Sequence, residues 1–195
     1  MSVMNKLICL VGMTGSGKSV VADYLVKNGF GFFRFGQITL DIVKERGLEP
    51  IDKNEKPIRE EVRKKHGMGA YAILNMPKIE ELLKKGHVVG DGMYSWSEYK
   101  VLKEKYTDQF VTVAIYAPPK ERYARLLERT LEKKDVDLRH RPATKKQAKE
   151  RDYAEIENIE KGGPIAMAEY TLINTGEIND LFKKVDQILE RLLIK

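Results

Sequence analysis

The chain has 195 residues, of which 42% are hydrophobic and 33% are charged, and its formal net charge is +6. This length predicts a single domain over 1–195, with enough apolar material to form a core without a disulfide or a metal. The one cysteine, Cys9, excludes a disulfide framework and a cysteine-based zinc site, and it favours a reducing compartment.

The predicted elements alternate between strands and helices along the chain. Short apolar runs next to glycine are typical of buried parallel strands, and helices commonly end at glycine. The pattern predicts, in chain order, a strand over 6–12, a helix over 18–28, a strand over 30–35, helices over 37–46, 57–66 and 71–85, a strand over 87–91, a helix over 97–105, a strand over 110–116, helices over 119–133 and 145–160, a strand over 170–174 and an amphipathic helix from Ile178 to Leu192. This alternation predicts an α/β fold with a parallel sheet.

Hydropathy gives no sign of a membrane segment. The longest uncharged stretches, 7–17, 66–77 and 109–119, have 11 or 12 residues each, whereas a transmembrane helix needs about 20. The N-terminal segment also lacks the basic start and the cleavage site of a signal peptide. The sequence therefore predicts a soluble, cytoplasmic protein with no membrane partner.

A glycine-rich segment lies between the first predicted strand and the first predicted helix. It matches the pattern G-x-x-x-x-G-K-S in full, with one helical residue after it: Gly12, Met13, Thr14, Gly15, Ser16, Gly17, Lys18, Ser19 and Val20. In such a loop the backbone N–H groups cradle phosphates, the lysine reaches the β- and γ-phosphates and the serine hydroxyl binds Mg²⁺. A chance glycine turn is the alternative, which the agreement of strand, loop and helix disfavours.

Asp91 ends the third predicted strand, after the apolar run 88–90. Ligands bind at the carboxyl ends of parallel strands, so this carboxylate is a candidate to hold Mg²⁺ together with Ser19. The alternative is an ordinary turn aspartate, since Gly92 follows.

The positive charge is concentrated in 120–151, which holds 12 Lys and Arg against 6 Asp and Glu and so carries the whole basic excess. A compact basic cluster favours a small polyanion over a long duplex, so a nucleic-acid partner is not expected. Arg122, Arg125 and Arg129 recur at helical spacing and can clamp a phosphoryl group, although any one of them can equally face solvent. A polar, irregular segment over 135–144 follows and is typical of a mobile loop.

Taken together, these parts resemble the P-loop nucleoside monophosphate kinase superfamily over nearly the whole chain. The members most similar are adenylate and cytidylate kinases, dephospho-coenzyme A kinase and an adenylate-kinase-related group known from archaea. The resemblance implies a three-layer α/β/α P-loop NTPase fold with a five-stranded parallel sheet. It also implies a small helical acceptor-binding region over 36–85, a short basic lid over 130–151, and ATP and Mg²⁺ as cofactors.

The resemblance also implies roles for individual residues. Arg125 and Arg129 are similar to the arginine pair that leads into the lid, where the first packs on adenine and the second contacts phosphate. Arg141 and Arg151, ten residues apart, resemble the second lid pair. The turn beside the adenine is represented by Asn174, Thr175 and Gly176, for which an ordinary strand-to-helix turn is the alternative.

On the acceptor side, the resemblance makes Arg34, Arg59 and Arg63 candidates for phosphate contacts. After the strand-end Asp-Gly, adenylate kinases continue with an aromatic residue, Pro and Arg. This chain continues from Gly92 with Met-Tyr-Ser-Trp, so the usual guanidinium is missing and AMP is in doubt as acceptor. Tyr94 can stack on the acceptor or pack under a loop.

The leading hypothesis is therefore an ATP- and Mg²⁺-dependent kinase that acts on a nucleoside monophosphate or a related small molecule. Lys18, Asp91, Arg129, Arg141 and Arg151 would carry the transfer, mainly by positioning and electrostatics. The alternative is a regulatory or accessory protein that binds ATP or AMP without efficient transfer. A third hypothesis, an RNA-binding ATPase, rests on the basic segment alone.

Overall fold

The computed structural model describes residues 4–129 and 143–193. Within them, five strands form one sheet in the order β2-β3-β1-β4-β5, and its four pairings are all parallel. The strands are β1 (Leu7–Val11), β2 (Gly31–Arg34), β3 (Val88–Asp91), β4 (Phe110–Tyr116) and β5 (Tyr170–Ile173). The α/β fold with a five-stranded parallel sheet is confirmed.

Helices connect the strands and cover both faces of the sheet. They are α1 (Lys18–Lys27), α2 (Gln37–Glu45), α3 (Asp52–His66), α4 (Ala70–Leu83), α5 (Trp96–Tyr106), α6 (Pro119–Leu127), α7 (Lys145–Ile159), α8 (Gly162–Ala166) and α9 (Ile178–Leu193). None of the helices in the described ranges is long and apolar enough to cross a membrane.

The central strand shows why the strands are apolar throughout. Along β1, Leu7 and Cys9 belong to one buried cluster, and Ile8 and Leu10 belong to the cluster on the opposite face. Successive side chains of a strand point to opposite faces, so a strand with helices on both sides buries every residue. Each cluster draws its helical part from a different layer: Ile58, Tyr71, Ile79 and Leu102 on one face, and Val21, Leu25, Leu181 and Val185 on the other.

Two predicted boundaries are wrong. Helix α3 begins at Asp52, so Pro57 lies inside it and does not start it; acidic side chains in its first turn favour the earlier start. Helix α6 ends at Leu127, not at Lys133, so Arg129 lies beyond its last turn. Helix α7 ends within one residue of its predicted end, where Glu160 has a left-handed conformation at φ 53°, and the short helix α8 follows.

Candidate functional site

The glycine-rich loop joins β1 to α1 at the carboxyl edge of the sheet. Gly17 is the N-cap of α1 with φ 106°, and a Cβ there would lie 2.2 Å from Nδ2 of Asn174. Gly15 has φ 82°, and its Cβ would lie 2.8 Å from the carbonyl oxygen of Arg122. Both positions require glycine, because left-handed backbone and close neighbours exclude a side chain. The loop is thereby held in one conformation in front of the helix N-terminus.

Lys18 folds back over this loop. Its Nζ donates to the carbonyl oxygens of Gly12 at 2.8 Å and Met13 at 3.1 Å. Burial and the nearby ammonium of Lys161 lower the pKa of Lys18 to about 7, although neighbouring carboxylates oppose the shift. A phosphate bound at this point would favour the charged ammonium, because an opposite charge raises the pKa of an amine.

Ser19 and Asp91 form the candidate metal site. The Ser19 hydroxyl donates to Oδ2 of Asp91 at 3.3 Å, and Asp91 is only 4% exposed. In the sheet, Asp91 pairs in register with Leu10 of β1 and Arg34 of β2, which fixes it at the carboxyl edge. Within the described ranges, no group of three His, Cys, Asp or Glu side chains could hold a metal. Two protein oxygens nevertheless suit Mg²⁺, which keeps several waters and binds substrate phosphates.

A cleft of about 300 Å³ opens beside the loop. It brings together predicted residues from three distant parts of the chain, and it is lined by Gly15, Gly17, Ser19, Val20, Arg125, Arg129, Asn174, Gly176, Ile178 and Leu181. Arg125 donates from Nη2 to the carbonyl oxygen of Asn174 at 2.7 Å, and Asn174 donates from Nδ2 to the carbonyl oxygen of Ser16 at 2.8 Å. Thr175 lies between two lining residues and is exposed.

Two buried polar atoms, one in the glycine-rich loop and one on an arginine that lines the cleft, fit a nucleotide. The hydroxyl of Ser16 and Nη1 of Arg125 have no hydrogen-bond partner among the described residues. A buried polar group without a partner carries a free-energy cost that a ligand can remove. Phosphate oxygens and a nucleotide base offer suitable partners for a hydroxyl and a guanidinium, so the residues present fit ATP.

The predicted lid arginines have different positions. Arg129 lines the cleft just after α6. Arg141 lies outside the described residues, as does most of the segment 130–151. Arg151 is on α7, where its Nε donates to Oε1 of Glu155 at 2.9 Å. Arg129 therefore reaches the cleft from the end of α6, and Arg151, at the end of the predicted lid segment, lies near the loop because Glu155 contacts both it and Thr14.

Arg122 binds the backbone of the glycine-rich loop and is not among the residues that line the cleft. Its guanidinium donates to both carboxylate oxygens of Asp152, at 3.0 and 2.6 Å, and to the carbonyl oxygen of Thr14 at 2.9 Å. The two side chains are 5% and 8% exposed. Sequence reasoning placed Arg122 with the other arginines of α6, because their helical spacing does not show that its partner lies on α7.

Sequence reasoning also missed Lys161. This lysine is 0% exposed, and its Nζ donates to Oε2 of Glu155 at 2.5 Å. The other oxygen of Glu155 accepts from Oγ1 of Thr14 at 3.3 Å. Burial raises the pKa of Glu155, but the charges of Lys161 and Arg151 outweigh it and lower the pKa to about 2. A single lysine after a polar helix carries no periodic signal, so only the tertiary structure reveals it.

The acceptor-side candidates lie around helices α2, α3 and α4, which the segment 36–85 forms between β2 and β3. Arg59 is engaged by Asp52 at 2.7 Å and Glu55 at 3.0 Å. The Nε of Arg63 is buried without a hydrogen-bond partner among the described residues, and its guanidinium lies over the Tyr71 ring at 5.3 Å.

Tyr94 packs against Gly36, the first residue of the predicted acceptor-binding segment 36–85. A Cβ on Gly92, which has φ 80°, would lie 3.5 Å from the Tyr94 hydroxyl, and one on Gly36 would lie 3.7 Å from it. The ammonium of Lys161 is 4.8 Å from the centre of the same ring. Trp96 stacks on Tyr99 with ring centres 4.9 Å apart, so it packs into the core beside this point. Tyr94 thus packs between the two glycines and the ammonium of Lys161 in the described structure.

Comparison with known sequences identifies a family. A family model described as AAA domain matches residues 8–158. A UPF0200/UPF0201 protein of Archaeoglobus fulgidus is 36% identical over 188 residues, which are 96% of this chain and 56% of that protein. A UPF0200 protein of Thermococcus kodakarensis is 31% identical and is covered over 99% of its length by 97% of this chain. The chain thus spans just over half of the first relative and nearly all of the second.

Comparison with solved structures identifies the fold. TT1252 from Thermus thermophilus superposes with a TM-score of 0.62 at 18% identity, covering 96% of this chain and 98% of that one. A shikimate kinase from Acinetobacter baumannii and a gluconokinase from Sinorhizobium meliloti both give 0.57, at 18% and 14% identity. They cover 99% of this chain and 97% and 95% of their own. At these identities the likeness concerns the fold, which is that of P-loop kinases.

Proposed function

The chain belongs to the AAA domain family of P-loop NTPases, and from that premise we propose that it transfers a phosphoryl group from ATP, with Mg²⁺, to a small-molecule acceptor. The observation that carries this proposal is the meeting of Ser19 and Asp91 beside the loop that Lys18 closes. A glycine-rich loop alone predicts nucleotide binding. A strand-end carboxylate against the serine hydroxyl adds a magnesium site at the place where the outer phosphates would lie.

On the donor side, each residue has a separate task. Lys18 would exchange the carbonyl oxygens of Gly12 and Met13 for the β- and γ-phosphates, and Ser19 and Asp91 would hold Mg²⁺. Arg125 and Asn174 would contact the adenine end of the cleft. Bound Mg-ATP supplies the phosphoryl group, and the magnesium neutralises part of its charge.

The transferring group would be stabilised by arginines. Guanidinium groups bind phosphoryl oxygens through paired, charge-assisted hydrogen bonds, and they act most strongly where water is excluded. Arg129 precedes the predicted lid segment, and Arg141 and Arg151 belong to it; we expect all three to contact the phosphoryl oxygens of the bound nucleotide. The protein's contribution would then be positioning and electrostatics, since phosphoryl transfer needs little covalent help.

The acceptor would bind against the helices of 36–85. Of the three arginines predicted there, Arg59 already has two carboxylate partners, whereas Arg63 has a buried Nε without a partner among the described residues. Arg63 is therefore the best-placed residue to bind an anionic group of the acceptor, with Arg34 at the end of β2. A nucleoside monophosphate satisfies this requirement. So does a small hydroxy acid, the kind of acceptor named for the two structural neighbours.

The arrangement of the acceptor side also favours a second candidate function. The four residues directly after Gly92 include no arginine, and Arg59 is held in ion pairs. If Arg63 and Arg34 do not bind an acceptor, the protein would bind ATP or AMP and act as a regulatory or accessory protein. The two functions differ in one measurable respect, which is acceptor-dependent formation of ADP.

The test is ADP formation from Mg-ATP across a panel of acceptors. The panel comprises AMP, CMP, dCMP, UMP, GMP, dTMP, dephospho-coenzyme A, gluconate, shikimate and a blank without acceptor. A rate well above the blank for one compound would establish a kinase and identify its acceptor. Lys18→Ala should abolish that rate, whereas Lys27→Ala, an exposed lysine on the same helix, should leave it unchanged. Turnover retained in Lys18→Ala would contradict the proposal, and a flat panel with measured ATP binding would favour the regulatory function.

A further inference from the structure

Lys161 is a buried ammonium beside a site built for phosphates. It is 0% exposed, it donates to Glu155, and it lies over the Tyr94 ring at 4.8 Å. A buried lysine is uncommon because the charged head loses its hydration, and it persists where a partner compensates for that loss. In the described structure the carboxylate of Glu155 compensates for this loss.

The position of Lys161 relates it to the outer end of a bound triphosphate. The ammonium of Lys18, which reaches the β- and γ-phosphates in loops of this kind, lies on the carbonyl oxygens of Gly12 and Met13. The next residue, Thr14, donates to Glu155, and the opposite oxygen of Glu155 accepts from Lys161. One carboxylate therefore separates Lys161 from the part of the loop where the γ-phosphate would lie.

Charge at this point is unbalanced toward the positive. Glu155 is shared between Lys161 and Arg151, which both donate to it. Lys161 also acts on Lys18, since its ammonium contributes to the low pKa of Lys18. Lys18 is surrounded by the cations Lys161 and Arg151 and by the carboxylates of Asp91 and Glu155. With Lys18 itself charged, three cations face two carboxylates, and the excess positive charge would attract a polyanion.

We propose that Lys161 is a second phosphate-contacting lysine, which leaves Glu155 for the γ-phosphate when a nucleoside triphosphate binds. Glu155 is then the counter-ion that holds Lys161 in place until that moment. This inference rests on the proposed binding of ATP. Lys161, which lies between α7 and α8, would supply a cation to the γ-phosphate. The arginine that adenylate kinases carry shortly after the strand-end Asp-Gly is missing from this chain.

The competing interpretation is a purely structural ion pair that fixes the end of α7 to the loop. The two interpretations predict different effects of removing Lys161 on the affinities for ATP and ADP. A structural pair affects both nucleotides alike through stability, whereas a γ-phosphate contact affects only the triphosphate. The ratio of the two affinities is therefore the decisive quantity.

The experiment measures calorimetric dissociation constants for Mg²⁺-bound ADP and for the non-hydrolysable β,γ-imido analogue of ATP. Lys161→Met combined with Glu155→Gln removes both charges of the buried pair and leaves the half-exposed Arg151 without its carboxylate. In this variant the analogue should bind about tenfold or more weakly, the loss of one charge-assisted hydrogen bond, with ADP little changed. Lys103→Met is the matched control, because its ion pair with Glu169 lies away from the loop.

Glu155→Gln alone should change the affinity for the triphosphate analogue in the opposite direction. It removes the carboxylate to which Lys161 and Arg151 both donate, so the affinity ratio should shift toward the triphosphate analogue by several-fold. Adding Lys161→Met to this variant should abolish the part of the shift that Lys161 causes. This variant also keeps the proposal testable if the double variant fails to fold.

The outcomes separate this inference from the proposed function. If the wild-type protein binds neither nucleotide, the proposed function is wrong and this inference with it. If the wild-type protein prefers the triphosphate and the preference is unchanged in the variants, Lys161 is a structural residue and only this inference is overturned.

Discussion

Ser19 and Asp91 are 72 residues apart in the chain, yet the hydroxyl of Ser19 donates to Oδ2 of Asp91 at 3.3 Å. The contact exists because β1 and β3 are parallel neighbours, with Leu10 in register with Asp91. The loop after β1 and the end of β3 therefore meet at the same edge of the sheet. A hydroxyl and a carboxylate at that edge are oxygen ligands suited to Mg²⁺.

Asp91→Asn should reduce acceptor-dependent ADP formation by on the order of 100-fold, because the amide removes the negative charge that holds the metal. The concentration of Mg²⁺ needed for half-maximal rate should rise, while nucleotide binding in the absence of metal should be nearly unchanged. Steady-state rates over a magnesium titration measure both effects. Asp108→Asn is the control, since Asp108 is exposed at the opposite edge of the sheet. Equal magnesium dependence in the wild type and Asp91→Asn would contradict the metal role.

Two glycines with nearly the same φ provide a test of the geometry of the glycine-rich loop. Gly15 and Gly29 have φ of 82° and 87°, but a Cβ on Gly15 would lie 2.8 Å from the carbonyl oxygen of Arg122, and one on Gly29 would meet nothing within 4 Å. Gly29→Ala should lower the free energy of unfolding by about 1–2 kcal/mol, the cost of a left-handed alanine. Gly15→Ala should cost more and should also weaken ATP binding, because the loop must move. Urea denaturation and nucleotide titration of both variants measure this, and similar ATP affinities would count against the loop geometry.

Much of the donor side could be predicted from the sequence, because it depends on short-range patterns. The loop motif, the apolar strand before it and the helix after it are contiguous, and Asp91 directly ends an apolar run. Parallel strands carry such residues to one edge whatever their separation in the chain. The fold class follows from the same alternation of apolar runs and helical spacing.

The residues that the sequence did not reveal depend on long-range partners. Arg122 has the spacing of a phosphate-binding arginine, and its buried pairing with Asp152 follows from how α6 and α7 pack. Lys161 stands in a polar stretch, and its burial depends on Glu155 and Tyr94. The start of α3 was misplaced because Pro57 suits a first helical turn, while the acidic side chains at 52 and 55 favoured an earlier one.

The buried pair of Arg122 and Asp152 should stabilise the fold far more than its exposed counterpart. Arg46 and Glu61 also form a two-fold hydrogen-bonded pair, with side chains 46% and 57% exposed against 5% and 8% for the buried pair. Arg122→Met leaves the buried carboxylate of Asp152 without its charged partner, with the Tyr123 hydroxyl still donating to it, and should lower the free energy of unfolding by about 3–5 kcal/mol. Arg46→Met should cost less than about 1 kcal/mol. Urea denaturation compares them, and equal losses would contradict the structural role of Arg122.

Lys18 should take up a proton when ATP binds. Burial and the charge of Lys161 lower its pKa to about 7, so at pH 8 most of it is neutral, and bound phosphates favour the charged form. Binding coupled to proton uptake weakens as pH rises, so ATP affinity should fall by up to about tenfold per pH unit above 7, until the pKa of the complex is reached. The lowered pKa of Lys18 also makes the folding stability of the nucleotide-free protein depend on pH, and this stability changes in the opposite direction to the ATP affinity. The unfolded chain binds the proton up to its ordinary pKa of about 10.5, so this group's contribution to stability rises between pH 7 and 10.5.

Calorimetry at pH 8 in two buffers of different ionisation enthalpy measures this uptake directly. The wild-type protein should take up close to one proton for each ATP bound. Lys161→Met removes the neighbouring ammonium, so it should raise the pKa of Lys18 and reduce the uptake, because more of Lys18 is then already charged before ATP arrives. Lys103→Met, whose lysine pairs with Glu169 away from the loop, should behave like the wild type. An apparent binding enthalpy that is the same in both buffers would show that Lys18 is already charged before the nucleotide binds.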